Sequence, residues 1–210
     1  MPGDWEAIVE DESGDTFYCN PKTGETQWDK PVGRDDDGQK SKNVEVLLKS
    51  LNDINFQMEI PENEDTIKKN AIYKSKFIYN LYECNTFSDD TGLEVESLNN
   101  EPGVKSARYS SERKDSKKNI EKVLLKLGKS INRKARFRTV ISLIFDGKNY
   151  CFEGIVNGFI TKKPIGRYGF GYDSIFIPIG FNKTFAQLTI VEKNAARKKS
   201  LLENSLNMEQ

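Results

Sequence analysis

The sequence predicts a small three-stranded antiparallel β module followed by an α/β domain with a mixed sheet flanked by helices. Three observations support this fold class. The first 33 residues alternate short aromatic or β-branched runs with turn residues, two later segments carry apolar side chains at helical spacing, and residues 135–160 contain two long apolar runs joined by a short turn. We therefore place the small module at residues 1–33, a charged linker at 34–43 and the α/β domain at 44–210.

The N-terminal module is too small for an ordinary hydrophobic core, so a few aromatic side chains must hold it together. Its segment WEAIVEDESGDTFYCNPKTGETQWDKP places the turn sequences SGD and KTG between three short candidate strands. Trp5 and Trp28 lie 23 positions apart, and Pro31 closes the segment. This pattern predicts a three-stranded sheet clamped by aromatic side chains.

The larger domain contains two predicted helices and one hairpin. The segment 66–82, TIKKNAIYKSKFIYNLY, has apolar side chains at roughly helical spacing and Thr66 as a candidate N-cap. These apolar residues are Ile67, Ala71, Ile78 and Leu81. A second helix, DSKKNIEKVLLKLGK, should end near Gly128, and ARFRTVISLIFDGKNYCFEGIVNGFI predicts two long strands joined by DGK. The earlier run VEVLLKSLNDI is compatible with either a strand or a helix.

Composition excludes several classes of function. The chain has no histidine, which removes Ser-His-Asp and Cys-His catalysis and every imidazole metal ligand. Any bound metal must therefore take oxygen ligands, which favours magnesium, manganese or calcium. Three scattered cysteines indicate reduced thiols in a cytosol-like compartment. No apolar run approaches the roughly 20 residues that span a bilayer and no signal peptide opens the chain, so we expect a cytoplasmic protein without membrane contact.

Charge is unevenly distributed although the net charge is zero. Residues 1–38 carry 11 acidic side chains against 3 basic ones, and residues 112–138 carry 11 basic side chains against 3 acidic ones. The basic block could attract nucleic acid, a nucleotide polyphosphate or the acidic N-terminus, and it could equally be a solvated helix face.

A group of oxygen donors suggests a metal-dependent site. Asp89 and Asp90 are adjacent in FSDDTGLEVE, Glu62 precedes the first predicted helix, and Lys74 lies within that helix. We expect the helix to lead into a short strand, CNTF, which would put the two aspartates at the carboxyl end of a strand, where α/β sheets bind ligands. Two aspartates and a glutamate can hold a Mg²⁺ ion that bridges phosphates, with one carboxylate as general base toward water. The alternative is that SDDTG is an ordinary solvated turn.

A glycine-rich loop forms the second candidate site. GRYGFGYD, residues 166–173, offers flexible backbone and aromatic faces for a base or a ribose, although glycine and tyrosine also make ordinary turns.

The order of several motifs along the chain resembles that of the Ham1-type inosine triphosphate pyrophosphatases. These motifs are FSDDTGLEVESLNNEPGVKSARY, RKARFRTVISLI, FEGIVNG, GFGYDSIFIP, TFAQL and EKN. The resemblance extends from about residue 44 to residue 194. It implies a Mg²⁺-dependent hydrolase that converts ITP, XTP and their deoxy forms into a monophosphate and pyrophosphate.

The resemblance implies a role for each matching residue. Asp90 matches the catalytic carboxylate, and Asp89 and Glu62 match its acidic, metal-facing neighbours. Thr91 stands where the family has a substrate-contacting serine, and Lys74 matches a lysine near the phosphates. The residues that match the nucleotide-packing loop and the lysine of the EKN segment are Phe170, Gly171, Tyr172, Asp173 and Lys193. The resemblance also suggests a homodimer.

The N-terminal module resembles the WW domain. The resemblance implies structural roles for Trp5, Tyr18 and Pro31. It also implies that Phe17 and Trp28 form a groove for a proline-rich ligand in polyproline II conformation. The alternative is a hairpin module without a partner.

Two family features have no counterpart in this sequence. The family opens with a strand and a Thr-x-Asn-x-x-Lys phosphate loop, whereas VEVLLKSLNDI already resembles its second strand and Val46 stands where the lysine belongs. The family's Ser-His-Arg motif after EKN is replaced by AARKKS. Two hypotheses follow: a nucleotide pyrophosphatase fused to a reader of proline-rich motifs, or a non-catalytic interaction protein whose truncated domain is a scaffold.

Overall fold

The structure is a computed structural model that describes residues 47–196 and, before them, the backbone of strands at 6–9, 16–19 and 26–27. The chain divides into two compact units, Met1–Ile60 and Pro61–Gln210. The predicted linker and its boundaries lie in the first unit, largely outside the described residues, and they stay a prediction. No helix in the described part of the chain is long and apolar enough to cross a membrane.

The first unit contains the predicted three-stranded antiparallel sheet. Its strands are β1 (Glu6–Val9), β2 (Thr16–Cys19) and β3 (Thr26–Gln27), in that spatial order. Trp28 and the side chain of Phe17, the predicted ligand groove, lie outside the described residues. The described portion of VEVLLKSLNDI, from residue 47 to 54, forms loop and turn, so the expectation of a strand or a helix is wrong there.

The second unit begins with the predicted helix. Helix α1 spans Ile67–Tyr82, and the hydroxyl of Thr66 accepts a hydrogen bond from the backbone N–H of Lys69, as an N-cap should. Ile67, Ala71 and Ile78 are buried, which confirms the predicted inner face, but Leu81 is half exposed. The helix ends at a left-handed Glu83 whose N–H bonds to the carbonyl of Tyr79.

A five-stranded sheet forms the centre of this unit, in the order β5-β4-β6-β7-β8. Its strands are β4 (Thr86–Val95), β5 (Glu101–Pro102), β6 (Lys134–Phe145), β7 (Lys148–Ile160) and β8 (Phe176–Pro178). All the described pairings are antiparallel. The predicted sheet with flanking helices is therefore confirmed, and its described part is antiparallel rather than mixed.

The long hairpin is present as predicted. Strands β6 and β7 pair from Lys134↔Phe159 to Phe145↔Lys148. Two residues join them, Asp146 with φ 47° and Gly147 with φ 73°. Positive φ at both positions is the requirement of a two-residue type I′ turn, which explains why Asp-Gly directs the chain back on itself here.

Helix α2 spans Ser116–Leu127, beginning after an Asp115 N-cap and ending at Gly128 as predicted. The helix contributes Val123 to the main core, which also contains Leu93 and Phe176. Helix α1 packs on the opposite face of the sheet. There Ile67 and Ala71 contact Val140 of β6 in a smaller cluster. The sheet thus separates two apolar layers.

Candidate active site

Asp89 and Asp90 lie in the middle of β4, where they pair with Ile141 and Val140 of β6. The prediction of a short CNTF strand with both aspartates beyond its end is therefore wrong. Successive residues of a strand point to opposite faces of the sheet. Asp90 consequently faces α1 and Asp89 faces the other way, so the adjacent carboxylates are not a pair that shares one site.

Helix α1 supplies two donors to the carboxylate of Asp90. The ammonium of Lys74 lies 3.1 Å from Oδ1, and the side-chain amide of Asn70 donates to Oδ2 at 3.4 Å. Asn70 and Lys74 are one helical turn apart and therefore project from the same face of the helix. The helix holds both oxygens of one carboxylate.

Glu62 completes this acidic cluster from the loop before α1. Its Oε1 lies 3.7 Å from Nζ of Lys74, and its Oε2 accepts a 2.8 Å hydrogen bond from Arg108. Arg108 belongs to a short 3₁₀ helix that follows β5. Four separate segments thus bring Glu62, Lys74, Asp90 and Arg108 together, and all four side chains are largely buried, with exposed fractions between 14% and 29%.

The two carboxylates have opposite pKa shifts. Burial raises the pKa of Asp90, and the nearby charge of Glu62 raises it further, although Lys74 opposes both effects. Burial also raises the pKa of Glu62, but the hydrogen bond from Arg108 and the surrounding positive charges outweigh it and leave that pKa below its usual value. Asp90 is therefore the better proton acceptor of the two near neutral pH, because its conjugate acid is the weaker acid.

The donor set fits a hard divalent cation. Among the described residues, no three or more His, Cys, Asp or Glu side chains form a metal cage. Glu62 and Asp90 nevertheless converge on one positive charge, the ammonium of Lys74. Two carboxylates that face a common point suit Mg²⁺, which typically takes one or two protein carboxylates and completes its shell with water and substrate phosphate. Asp89 lies on the other face and is not part of this group.

A second cluster forms around the predicted nucleotide loop. Oδ2 of Asp173 accepts an ion-pair hydrogen bond from Lys193 at 2.8 Å and a hydrogen bond from the backbone N–H of Phe170 at 3.2 Å. Gly169 has φ +86°, and a methyl group there would overlap this carboxylate. The Phe170 ring is 56% exposed and the Tyr168 ring 73% exposed. The loop therefore combines a fixed ion pair with open aromatic faces, as a base-binding surface requires.

The structure places other predicted substrate residues differently. The Tyr172 side chain is buried in the main core, and its hydroxyl donates to the carbonyl of Ser106 at 2.9 Å. Burial also raises the pKa of Tyr172. Thr91 faces away from Asp90, and its hydroxyl lies 2.8 Å from that of Thr139. Gly171, with φ +52°, shapes the loop through its backbone. Tyr172 therefore anchors the loop to the main core.

Sequence reasoning missed Asn70 and Arg108. Asn70 lies one turn before Lys74, so helical spacing alone could have placed it beside the lysine. Arg108 lies 46 positions from Glu62, and no local pattern connects the two.

Comparison with known proteins gives a family for each part of the chain. The family model of the WW domain matches residues 1–31, and that of the Ham1 family matches residues 36–201. A dITP/XTP pyrophosphatase of Flavobacterium johnsoniae is 49% identical over 149 residues, which cover 71% of this chain and 78% of the relative. The corresponding protein of Bacillus subtilis is 44% identical over 151 residues, with 70% and 76% covered.

The solved structures agree with the sequence relatives. The Staphylococcus aureus Ham1 protein is 39% identical, with a TM-score of 0.63 over 73% of this chain and 82% of that one. A HAM1 protein from Coxiella burnetii is 32% identical, with a TM-score of 0.64 and the same coverage. The fold, the motif order and this level of identity establish that the chain belongs to the Ham1 family, with a WW domain match at its N-terminus.

Proposed function

We propose that the chain is a Mg²⁺-dependent nucleoside-triphosphate pyrophosphatase that acts on ITP, XTP and dITP. The observation that carries the proposal is the convergence of Glu62 and Asp90 on Lys74 in a largely buried cluster. The relatives named dITP/XTP pyrophosphatases support the substrate class.

Asp90 is the proposed general base. Its raised pKa makes it the better proton acceptor, and the bonds from Lys74 and Asn70 hold its carboxylate in one orientation. The water oxygen attacks a phosphorus of the α–β phosphoanhydride, the bridging P–O bond breaks, and Asp90 accepts the proton that the water loses. The products are a nucleoside monophosphate and pyrophosphate.

Glu62 and Asp90 would hold the magnesium ion. The ion, when bound, supplies positive charge that neutralises the phosphate oxygens and favours ionisation of water. Lys74 would then be free to turn from the carboxylates toward a phosphate. Its long side chain has several rotatable bonds, and its ammonium charge attracts phosphate oxygens. Arg108 keeps Glu62 ionised and oriented whether or not Lys74 remains in contact.

The loop cluster is the proposed base-binding surface. Phe170 offers an exposed ring for stacking on a purine. Asp173 and Lys193 hold the loop through their ion pair and keep one acceptor and one donor beside the backbone of Phe170. This arrangement supports recognition of a purine that carries a carbonyl group at position 6, because a lysine can donate to such an oxygen.

Release of pyrophosphate from ITP and XTP in the presence of Mg²⁺ tests the proposal. The full chain is compared with Asp90→Asn, for which we expect kcat to fall by about 10²- to 10⁴-fold, the usual contribution of a general base. Asp65→Asn is the matched control, because Asp65 also lies near the start of α1 but is exposed and pairs with Lys69. Equal rates for the wild type and Asp90→Asn would refute the proposal.

We further propose that the N-terminal module binds proline-rich peptides. The WW domain match over residues 1–31 and the three-stranded antiparallel backbone support this second function. Retention of the chain on an immobilised proline-rich peptide tests it, with Trp28→Ala expected to lose retention. Retention by neither protein would remove the proposal, and it would also remove the main support for a purely non-catalytic interaction protein.

A further inference from the structure

Asn70 is a buried amide that is bonded at both ends. Its side chain is only 1% exposed. Its Oδ1 accepts a 3.0 Å hydrogen bond from the backbone N–H of Glu64, and its Nδ2 donates to Oδ2 of Asp90 at 3.4 Å. Glu64 lies two positions after Glu62 in the same loop. One short side chain therefore connects the loop that carries one carboxylate with the strand that carries the other.

The two partners fix the orientation of this amide. The N–H of Glu64 can only donate and therefore selects the oxygen of the amide, which leaves the NH₂ group directed at Asp90. Lys74 contacts the same two carboxylates, but it does so through a long, flexible side chain. The asparagine has only two side-chain torsions and projects from a capped helix, so its contacts define positions more narrowly.

We infer that Asn70 is a positioning residue, which sets the distance between the Glu62 loop and the Asp90 carboxylate so that both can face one cation. This inference rests on the proposed pyrophosphatase function. Asn70 acts through its protein contacts, since its oxygen accepts from the N–H of Glu64 and its nitrogen donates to Asp90. Its effect on catalysis passes through the two carboxylates, as is usual for residues that orient metal ligands.

The test uses the full chain and three variants. Asn70→Ser removes both contacts, and Asn70→Asp keeps the shape and the acceptor for Glu64 while placing a carboxylate oxygen against Asp90. Ser75→Ala is the matched control, since Ser75 is fully buried on α1 and its hydroxyl bonds to Ile72 and Ser142. For each protein we measure Mn²⁺ affinity without nucleotide, by the electron paramagnetic resonance of free Mn²⁺, together with kcat and KM for ITP and the melting temperature.

For Asn70→Ser we expect a Mn²⁺ dissociation constant about tenfold higher and a kcat about 10- to 100-fold lower, the usual range for residues that hydrogen-bond to metal ligands. The KM for ITP should stay within about threefold, because the base-binding loop is untouched. Asn70→Asp should lose at least as much kcat, and it should melt below the wild-type temperature because its buried carboxylate lies against that of Asp90. Ser75→Ala should lower the melting temperature and leave both Mn²⁺ affinity and kcat within about twofold.

The outcomes separate this inference from the proposed function. Wild-type values of Mn²⁺ affinity and kcat in both Asn70 variants would overturn the inference alone, as would equal losses in Ser75→Ala. Wild-type protein that binds Mn²⁺ in an Asn70-dependent manner but hydrolyses no ITP would overturn only the proposed function. Wild-type protein that binds no Mn²⁺ would overturn the inference even if ITP is hydrolysed.

Discussion

The ammonium nitrogen of Lys74 lies 3.1 Å from Oδ1 of Asp90, inside a cluster where both side chains are less than one-fifth exposed. The same nitrogen is 3.7 Å from Glu62. Without this positive charge, two carboxylates would face each other in a poorly solvated space, which is strongly unfavourable. Lys74 therefore stabilises the arrangement that a divalent cation would also stabilise.

Replacing Lys74 by methionine should move the acidic limb of the pH–rate profile to higher pH. Lys74 lowers the pKa of Asp90, while burial and Glu62 raise it. Removal of the ammonium therefore raises that pKa. Because the base acts in its ionised form, activity should be lost on acidification at a higher pH than in the wild type. The measurement is kcat/KM for ITP between about pH 4 and pH 9.

Lys69→Met is the control for the Lys74 variant. Lys69 lies on the same helix, but its ammonium is exposed and pairs with Asp65. The acidic limb of this control should coincide with that of the wild type. An unmoved limb in Lys74→Met would show that the lysine does not control the ionisation of Asp90.

Asp90→Asn should be more stable than the wild type at neutral pH although it is less active. The pKa of Asp90 in the folded protein lies above the value of an unfolded chain. Its contribution to stability is therefore greatest at low pH and is lost as pH rises through the folded-state pKa. An uncharged amide avoids this loss, so we expect the free energy of unfolding at pH 7 to rise by about 0.5–2 kcal/mol.

The stability gain of Asp90→Asn should shrink on acidification. Below the unfolded pKa of an aspartate the wild-type carboxyl is neutral in both states, and the two proteins should then unfold at similar denaturant concentrations. The change in stability at pH 7 should have the opposite sign in Asp65→Asn, because hydrogen bonding to Lys69 lowers the pKa of Asp65. A wild type that is more stable than Asp90→Asn at pH 7 would contradict the prediction.

Asp89 and Asp90 should differ in their kinetic effects although they are neighbours in sequence. They lie on opposite faces of β4, and Asp90 is the one on the face of α1, where it contacts Lys74 and Asn70. We expect Asp90→Asn to reduce kcat/KM for ITP at least about tenfold more than Asp89→Asn, because only one of them is placed as a base. Equal losses would mean that both faces of the strand contribute to the reaction.

The misplacement of these two aspartates shows where local sequence patterns fail. Serine, aspartate, threonine and glycine favour turns, so FSDDTG suggests the end of a strand. Pairing with β6 from Thr86↔Ile144 to Val95↔Ala135 carries the strand through the segment. That pairing connects residues about 50 positions apart and cannot be inferred from composition in a short window.

Elements with strong local determinants were predictable. Thr66 and Gly128 mark the ends of the two helices through capping preferences, and Asp146-Gly147 specifies the hairpin turn. The site itself was predictable only in part, because its residues come from four elements. Glu62, Lys74 and Asp90 followed from family motifs, whereas the contacts of Asn70 and Arg108 depend on tertiary packing.

The loop that holds Asp173 should be sensitive to one glycine and tolerant at another. A methyl group at Gly169 would overlap Oδ2 of Asp173 and lie 2.8 Å from Nζ of Lys193, and the backbone there has φ +86°. A methyl group at Gly171 would meet no atom within 4 Å, although φ is +52°. Both alanine variants bear the cost of a left-handed backbone, about 1–2 kcal/mol, but only Gly169→Ala must also displace the ion pair.

We therefore expect Gly169→Ala to lower the free energy of unfolding by a further 1–3 kcal/mol or so relative to Gly171→Ala, the usual cost of overpacking. The displaced ion pair should also raise KM for ITP in Gly169→Ala, because the backbone N–H of Phe170 donates its hydrogen bond to the same carboxylate. Urea unfolding and steady-state kinetics of the two variants measure these effects. A methyl group displaces the Asp173–Lys193 pair at Gly169 but meets no atom at Gly171. Identical stability and KM in both variants would therefore mean that this pair neither shapes the loop nor supports substrate binding.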